Sequence, residues 1–275
     1  MDLVDKFESV GIKWFSASSL NKPVPNFIFE YIYLSPEQRR TIVVGENAAL
    51  GTAVHEAIQA IVCHGQDIDE AIETSLLTYD FHPANKSEEK RVKFREVLPD
   101  MVHSGVNSVS QDFAGAQEEK RIELRLDGVV LPIVGYVDLI KDGKLAELKT
   151  KAPRQGMIKK DGSRSWSKGS LPKEPVWEHI IQASIYHAAT GAEPNIVYVS
   201  AEDSIIYNPS NCEKLSEDHL SYALNEVRAK ALRRQALLAV SSDPKVLASI
   251  IEPDFGSFYW PDEFMDEARE LWKNG

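Results

Sequence analysis

Two carboxylates and a lysine stand close together in an otherwise apolar part of the sequence. Asp138, Glu147 and Lys149 lie between residues 134 and 149, where most of the neighbours are Val, Ile, Leu, Ala or Tyr. Acidic side chains and lysines are seldom fully buried without partners, so these three either face solvent or meet in a site that uses their charges. A divalent cation with oxygen ligands would relieve the repulsion between the two carboxylates. Lys149 would add a second positive charge there.

The sequence around these residues predicts three consecutive antiparallel strands. Residues 120–126 alternate apolar and polar side chains, which is typical of a half-buried strand. Residues 129–140 and 144–150 are the second and third strands. Asp127-Gly128 and Asp142-Gly143 are hairpin-turn signals between them. The three strands therefore form a meander that carries the charged residues.

The second turn decides which charged side chains meet. A turn near residues 141–144 puts Asp138 opposite or diagonal to Glu147, at about 4.5–8 Å. Glu147 and Lys149 are two residues apart, so they share one face of the third strand. We therefore expect the carboxylates and the lysine to form one cluster.

Helices are predicted on both sides of these strands. The clearest covers residues 47–63, where apolar residues recur at helical spacing around His55. A second covers residues 174–190 and ends at Gly191, and a loop rich in Lys, Gly and Ser precedes it up to about Lys173. The remaining predicted elements are helices within residues 1–14, 36–40, 69–77, 87–109, 216–240 and 262–273, and short strands at 196–200 and 204–207.

This order of elements predicts an α/β fold with a mixed central sheet. A strand that follows a helix returns most easily beside an earlier strand and parallel to it. We expect one domain over residues 1–275. Its core covers residues 45–205, with a helical segment at 1–44 and a C-terminal helical extension at 206–275.

The composition excludes several classes of protein. The chain is 43% apolar and 27% charged, as is usual for soluble globular proteins, and its net charge of −11 argues against a generally basic nucleic-acid-coating protein. Cys63 and Cys212 are too few for a disulfide framework or a four-cysteine cluster, and they suit a reducing compartment. We expect no secretory signal and no membrane span. One segment, residues 149–168, is locally basic and contains Trp166.

The charged cluster resembles the active site of the PD-(D/E)XK nuclease superfamily. That superfamily has an acid at the end of one strand and Glu-X-Lys on the next, which here are Asp138 and Glu147-Leu148-Lys149. Gly51 and His55 are similar to the GxxxH helix of its RecB-like branch, in which the histidine is a metal ligand. Two further motifs in the family's order complete the resemblance over about residues 15–200: Gln182 with Tyr186 as Q-x-x-x-Y, and Ser16, Ser18 and Leu20 as S-x-S-x-L.

The resemblance implies a restriction-endonuclease-like core and metal-dependent hydrolysis of a phosphodiester. The implied ligands of Mg²⁺ or Mn²⁺ are the side chains of His55, Asp138 and Glu147 and the carbonyl of Leu148. A nitrogen ligand among oxygens favours Mn²⁺ modestly. Lys149 would orient the attacking water or stabilise developing charge, and Gln182 and Tyr186 would support Lys149 or contact the substrate.

The implied substrate is linear DNA, single- or double-stranded. The candidate contacts are Ser18, Thr150, Lys151, Trp166, Gln182 and Tyr186. Trp166 could stack on an unpaired base. The basic segment at residues 149–168 and the predicted helix at 216–240 are the candidate DNA-contacting elements. A solvated mobile loop and an ordinary solvated helix face are the alternative interpretations of these two segments.

The chain lacks two features of some RecB-like relatives, and their absence narrows the predicted type of nuclease. The chain lacks the four cysteines of the iron–sulfur relatives and a G-x-x-x-x-G-K-[ST] phosphate loop. It therefore resembles free-standing phage-type exonucleases, in the cytoplasm of a bacterium or a phage-infected host. Such enzymes suggest a recombination or single-strand-binding protein as partner. A structure-specific or nicking endonuclease, a non-catalytic DNA-binding or assembly subunit, and an RNA substrate remain alternatives.

Overall fold

A computed structural model of the chain describes residues 2–43, 45–84, 87–158, 160 and 164–273. The chain divides into two compact units. The first unit comprises Met1–Val43, Ile122–Gly135 and Ser221–Gly275, and the second comprises Val44–Arg121 and Tyr136–Leu220. No described helix is both long enough and apolar enough to cross a membrane. The division into one domain with a core at residues 45–205 stays a prediction.

The order of helices and strands along the chain is close to the order that the sequence predicts. The helices are α1 (Leu3–Ser9), α2 (Ala17–Asn21), α3 (Val24–Phe27), α4 (Pro36–Thr41), α5 (Glu46–His64), α6 (Ile68–Asp80), α7 (Glu88–Phe113), α8 (Trp177–Thr190), α9 (Glu217–Val240), α10 (Pro244–Ala248) and α11 (Met265–Lys273). The strands are β1 (Gln117–Leu124), β2 (Ile133–Lys141), β3 (Lys144–Thr150), β4 (Arg154–Ile158), β5 (Arg164–Ser167), β6 (Glu193–Val199) and β7 (Ser204–Tyr207). A π-helix covers Ile28–Tyr33, and short 3₁₀ turns cover Glu213–Leu215 and Asp262–Phe264.

The central sheet of the described residues has the order β1-β2-β3-β6-β7. β2 and β3 are antiparallel, β3 and β6 are parallel, and β6 and β7 are antiparallel. The parallel step follows α8, which packs on β6 and returns the chain beside β3. The structure thus confirms an α/β fold with a mixed central sheet flanked by helices.

Helix α5 connects the sheet of the second unit to its helical layer. It packs against α6 and α7 and also contacts β3. Its apolar residues at helical spacing are buried, among them Leu50, Val54 and Ile58. Strands β3 and β6 are buried on both faces over most of their length, which is usual for parallel pairs. The side chains that α5 and β3 direct toward each other are therefore held by a packed core.

The first unit has an aromatic core of its own. Phe7 and Phe15 pack edge to face at 5.3 Å, and Phe15 forms an isolated bridge with Ile133. Trp260 packs against Phe29 and Phe255 at 5.7 and 5.0 Å. These contacts join the N-terminal helices to the C-terminal segment.

The structure has a turn at the predicted Asp127-Gly128, where Gly128 has a φ of 74° and Val129 N–H donates to the Leu126 carbonyl at 3.0 Å, but this turn does not close a tight hairpin as predicted. β1 ends at Leu124 and β2 begins at Ile133, four residues later than predicted, so a longer connection joins them. Its backbone groups bond to side chains of α9 rather than to a facing strand. Gln235 accepts from Val130 N–H at 2.6 Å and donates to the Gly128 carbonyl at 3.0 Å.

The prediction of an irregular loop up to Lys173 also needs correction. Within it, β4 and β5 form a two-stranded antiparallel hairpin that pairs Gln155 with Trp166. The Trp166 ring packs at 6.3 Å against Phe94 of α7. This contact packs the segment against α7, which its basic composition does not predict.

Candidate active site

The β2–β3 hairpin brings the two predicted carboxylates together. Asp142 and Gly143 both have positive φ, 48° and 77°, as a tight hairpin turn requires. The register pairs Leu139 with Ala146, so its next step sets Asp138 against Glu147. The Leu148 N–H donates to Asp138 Oδ2 at 2.6 Å. The carboxylate of Asp138 is thereby fixed across the hairpin.

Glu147, Lys149, Gln182 and Tyr186 form one hydrogen-bonded network between β3 and α8. Lys149 Nζ donates to Glu147 Oε1 at 2.6 Å and to Gln182 Oε1 at 3.0 Å. Gln182 Nε2 donates to Glu147 Oε1 at 2.6 Å and to the Tyr186 hydroxyl at 2.8 Å. One turn of helix separates Gln182 from Tyr186, so α8 presents both to the strand. The network holds the ammonium group of Lys149 from two sides.

Helix α5 supplies His55 to the same cluster. Gly51, one turn earlier, lets the helix approach the end of β3, since a Cβ there would lie 3.0 Å from Thr150 Oγ1. His55 Nε2 and Glu147 Oε2 are both buried, and neither has a hydrogen-bond partner among the described residues. Buried polar atoms are normally satisfied, so two unsatisfied ligand-type atoms at one site call for an explanation.

Burial and mutual charge set the electrostatics of the cluster. Burial raises the pKa of Asp138 to about 6, and burial together with the charge of Asp138 raises the pKa of Glu147 to about 7. Burial alone would lower the pKa of Lys149, but the carboxylates of Glu147 and Asp138 raise it overall. Burial and then the charge of Lys149 lower the pKa of His55 to about 4. The imidazole is therefore neutral at pH 7, as a metal ligand must be.

Two residues that the sequence reasoning missed support Asp138. Gln59 lies one turn after His55 on α5 and donates through Nε2 to the Asp138 carbonyl and to Glu119 Oε1, both at 3.1 Å. Glu119 lies on β1 with a φ of 44°, which is unusual for a residue other than glycine. The i, i+4 spacing of His55 and Gln59 was an available signal. Glu119 fell outside the predicted strand, which began at residue 120.

His179 is a third missed residue, on the face of α8 that carries Gln182. Its Nδ1 lies 2.7 Å from the Tyr198 hydroxyl, which also accepts from Val176 N–H at 2.9 Å. Burial and then the charges of Lys149 and Lys151 lower the pKa of His179 to about 3. The i, i+3 spacing from His179 to Gln182 was visible in the sequence but matched no motif.

The candidate substrate contacts divide between the two units. Thr150, Lys151 and Trp166 lie in the second unit: Thr150 ends β3, Lys151 follows it, and Trp166 lies on β5. Ser18 lies in the first unit, exposed on α2, with its Oγ 3.0 Å from Ser16 Oγ. Ser16 itself caps α2 in a capping box, so part of the S-x-S-x-L motif has a local structural use.

The predicted DNA-contacting face of α9 is largely engaged within the first unit. Arg234 is buried and donates to the carbonyls of Leu20 and Lys22. Arg228 bonds to Asp127, and Lys230 bonds to Asn21 and Glu226. These contacts favour the structural interpretation of α9.

The residues of the site fit a divalent cation by donor type. An imidazole, two carboxylates and the carbonyl of Leu148 are the ligand kinds that Mn²⁺ and Mg²⁺ accept. In the described part of the chain, however, no three His, Cys, Asp or Glu side chains form a complete cation cluster. Asp138 Oδ2 and Glu147 Oε1 are engaged by protein donors. His55 Nε2 and Glu147 Oε2 are the atoms left free for a cation.

Comparison with known proteins supports the fold. No protein-family model matches the chain, and no curated protein matches its sequence. The chain is similar to the crystal structure of a "putative exonuclease" from Eubacterium rectale, with a TM-score of 0.53 over 98% of this chain and 91% of that one, at 14% identity. The crystal structure of SSO0001 aligns over 66% of this chain and 84% of its own, at 18% identity and a TM-score of 0.29. The first match supports the α/β fold with a mixed central sheet and, at this identity, shows the fold alone.

Proposed function

We propose that the chain is a metal-dependent deoxyribonuclease of the RecB-like PD-(D/E)XK type. The observation that carries the proposal is the cluster on β3. Glu147 and Lys149 share one network with Gln182 and Tyr186, while two buried ligand-type atoms, on His55 and Glu147, stay unsatisfied beside it. Buried polar atoms without a partner are uncommon in folded proteins, and a bound cation would account for these two.

Each residue of the cluster has a role that its contacts support. His55, Asp138, Glu147 and the carbonyl of Leu148 would hold Mg²⁺ or Mn²⁺. When bound, the cation supplies Lewis-acid activation of a water and neutralises charge on the phosphate.

In the cation-free protein the neighbouring carboxylates raise the pKa of Lys149, and the protonated ammonium group would act as a positive donor toward the reacting phosphate or water. Gln182 holds Lys149 and Glu147 in one geometry, and the Tyr186 hydroxyl accepts from Gln182 and fixes its amide. Gln59 fixes the strand segment of Asp138 through its carbonyl. These positioning residues hold the catalytic groups in one arrangement.

An exonuclease on DNA is the activity that we favour. The fold matches that of a protein named as an exonuclease, and the sequence has no phosphate loop for a motor of its own. The active-site residues serve an endonuclease equally well, since access of the strand decides between the two.

The test compares linear with covalently closed circular DNA, single- and double-stranded, and a matched RNA. Each is incubated with Mg²⁺ or Mn²⁺, and acid-soluble nucleotide release is followed for wild type, Glu147→Ala and the exposed control Glu252→Ala. Release from linear DNA alone, lost only in Glu147→Ala, supports an exonuclease. Cleavage of closed circles moves the proposal to an endonuclease. No cleavage by wild type in any condition, with no cation binding, favours the non-catalytic subunit.

A further inference from the structure

A small cavity opens directly beyond the end of the site strand β3. Its volume is about 180 Å³, and it lies wholly within the second unit. It is lined by Asn47, Thr150, Lys151, Ala152, Arg154 and Ser170. Pockets that enclose a whole small-molecule ligand are usually larger than about 300 Å³. This cavity therefore suits a single compact group.

The charge of the cavity is positive. Neither Lys151 nor Arg154 forms an ion pair with an acidic side chain in the described part of the chain. Lys151 Nζ lies 5.0 Å from the centre of the Tyr198 ring, which positions the ammonium group without neutralising it. Burial and then the charges of Arg154 and Lys149 lower the pKa of Lys151, which shows three cations acting on one another. An anion is the ligand that relieves such a cluster.

Uncharged hydrogen-bonding groups complete the lining. The side chains of Asn47, Thr150 and Ser170 make no hydrogen bond to any other described residue. Asn47 also lies in the first turn of α5, whose N-cap Gly45 provides no side-chain cap. These groups are the kind that surround phosphate oxygens.

Close packing fixes one wall of the cavity. A Cβ at Gly169 would lie 1.8 Å from the Lys151 carbonyl oxygen, so only glycine lets the chain before Ser170 rest on the backbone after β3. The Lys151 N–H donates to the Val199 carbonyl at 2.7 Å and continues the β3–β6 pairing. The cavity is thus built on the rigid sheet.

The cavity has a defined place relative to the reacting centre. Lys149 and Lys151 are two residues apart along one strand direction, so their side chains share a face. Two strand residues span about 7 Å, a distance that one link of a nucleic acid strand bridges. A strand whose scissile phosphate meets Lys149 would therefore bring an adjacent phosphate to the cavity.

We propose that this cavity binds a phosphate group of the substrate strand, one link from the bond that is cleaved. Lys151 and Arg154 supply the charge, and Asn47, Thr150 and Ser170 supply neutral hydrogen bonds. The inference rests on the proposed nuclease function, because the nucleic acid strand is what delivers the phosphate. The same chemistry has two sources: a terminal phosphate monoester, or the internal phosphodiester next to the cleavage point.

Binding in the absence of divalent cations separates this inference from cleavage. The probes are fluorescent dT8 oligonucleotides with a 5′-phosphate, a 3′-phosphate or no terminal phosphate, measured in EDTA. The proteins are wild type, Lys151→Gln, Arg154→Gln and Lys144→Gln. Lys144 is the matched control, since it begins β3 at the far end of the strand and pairs with Asp112. Thermal unfolding checks that all four proteins fold.

We expect each pocket variant to weaken binding about tenfold, the loss typical of a charge-assisted contact, and to lower the salt dependence of the affinity by about one phosphate. Lys144→Gln should bind as wild type does. A loss restricted to one terminally phosphorylated probe identifies a monoester. A loss shared by all probes identifies an internal phosphodiester.

Equal binding by wild type and both pocket variants, or no binding by wild type to any probe, would overturn the phosphate site. Retained phosphate-dependent binding without cleavage under any cation would leave the site standing and remove the nuclease proposal. If Lys151→Gln and Arg154→Gln cleave DNA as fast as wild type does, the nuclease proposal stands and the phosphate site is removed. The two failures are therefore distinguishable.

Discussion

Two buried charged clusters, one in each unit, use their charges in different ways. In the first unit, Arg234 donates to the carbonyls of Leu20 and Lys22 and stacks on Phe27 at 4.9 Å. In the second unit, Glu147 and Lys149 pair closely, yet a carboxylate oxygen and an imidazole nitrogen beside them have no partner. The Arg234 cluster joins backbone segments and leaves an N–H donor, Arg234 Nε, without a partner, whereas the β3 cluster leaves ligand-type atoms free. Burial of charge alone therefore does not distinguish the two clusters; the chemical kind of the unsatisfied atoms does.

The substitution Glu147→Gln gives the strongest test of this difference between the two clusters. The substitution keeps shape and the acceptor for Lys149 but removes the charge that would bind a cation. We expect cleavage to fall at least about 10²-fold while the stability of the cation-free protein does not fall, because a buried carboxylate with a raised pKa is costly to ionise. Cleavage assays and urea unfolding measure the two effects. Unchanged cleavage would remove the β3 cluster as the active site.

Cation binding should stabilise the folded protein through the β3 cluster and not through the Arg234 cluster. At one hundred times its dissociation constant, Mn²⁺ should raise the unfolding free energy of wild type by about 2.7 kcal/mol. Glu147→Gln should lose most of this gain, since only one of the two carboxylate ligands, Asp138, then remains. Thermal unfolding with and without Mn²⁺ at pH 8 gives the comparison. A gain of equal size in Glu147→Gln would place the cation elsewhere.

Arg234→Met tests the Arg234 cluster and should lower stability without affecting cation binding. Two buried carbonyls would lose a charged donor, and we expect unfolding free energy to fall by about 2 kcal/mol. The stabilisation by Mn²⁺ should persist in this variant. Urea unfolding of Arg234→Met, with Arg234→Lys as the conservative control, measures the effect. Loss of the Mn²⁺ response in a folded Arg234→Met protein would contradict the distinction between the two clusters.

The positioning residues should give a graded loss. Gln182→Ala removes one acceptor of Lys149 and one donor to Glu147, so we expect kcat to fall about tenfold or more, with KM changing less. Tyr186→Phe removes only the acceptor of Gln182 and should cost less. Steady-state kinetics on linear DNA orders the two variants. A larger loss in Tyr186→Phe than in Gln182→Ala would show that the tyrosine contacts the substrate directly.

The sequence predicted the centre of the candidate site better than its surroundings, because the central contacts join residues that are close together in the sequence. The bounds of β3 were predicted correctly because the Asp142-Gly143 turn is a local signal. The connection after Asp127 was not, because its backbone partners, such as Gln235, lie more than one hundred residues away. Neither the bridge from Gln59 to Glu119 nor the packing of Trp166 leaves a periodic trace in the sequence.

The smallest expected effect concerns His179, which adds a pH test to the comparison. Its pKa in the folded protein is about 3, against 6.5 for an ordinary histidine, because burial and then the charges of Lys149 and Lys151 disfavour the proton. Below pH 6.5, His179 therefore binds a proton in the unfolded chain but stays neutral in the folded protein. The free energy of unfolding then decreases as the pH falls from 6.5 toward 3. Between pH 7 and 5.5 this amounts to about 1 kcal/mol. His179→Phe should lose that part of the pH dependence, as urea unfolding at both pH values would show, and an unchanged slope would mean that His179 titrates normally.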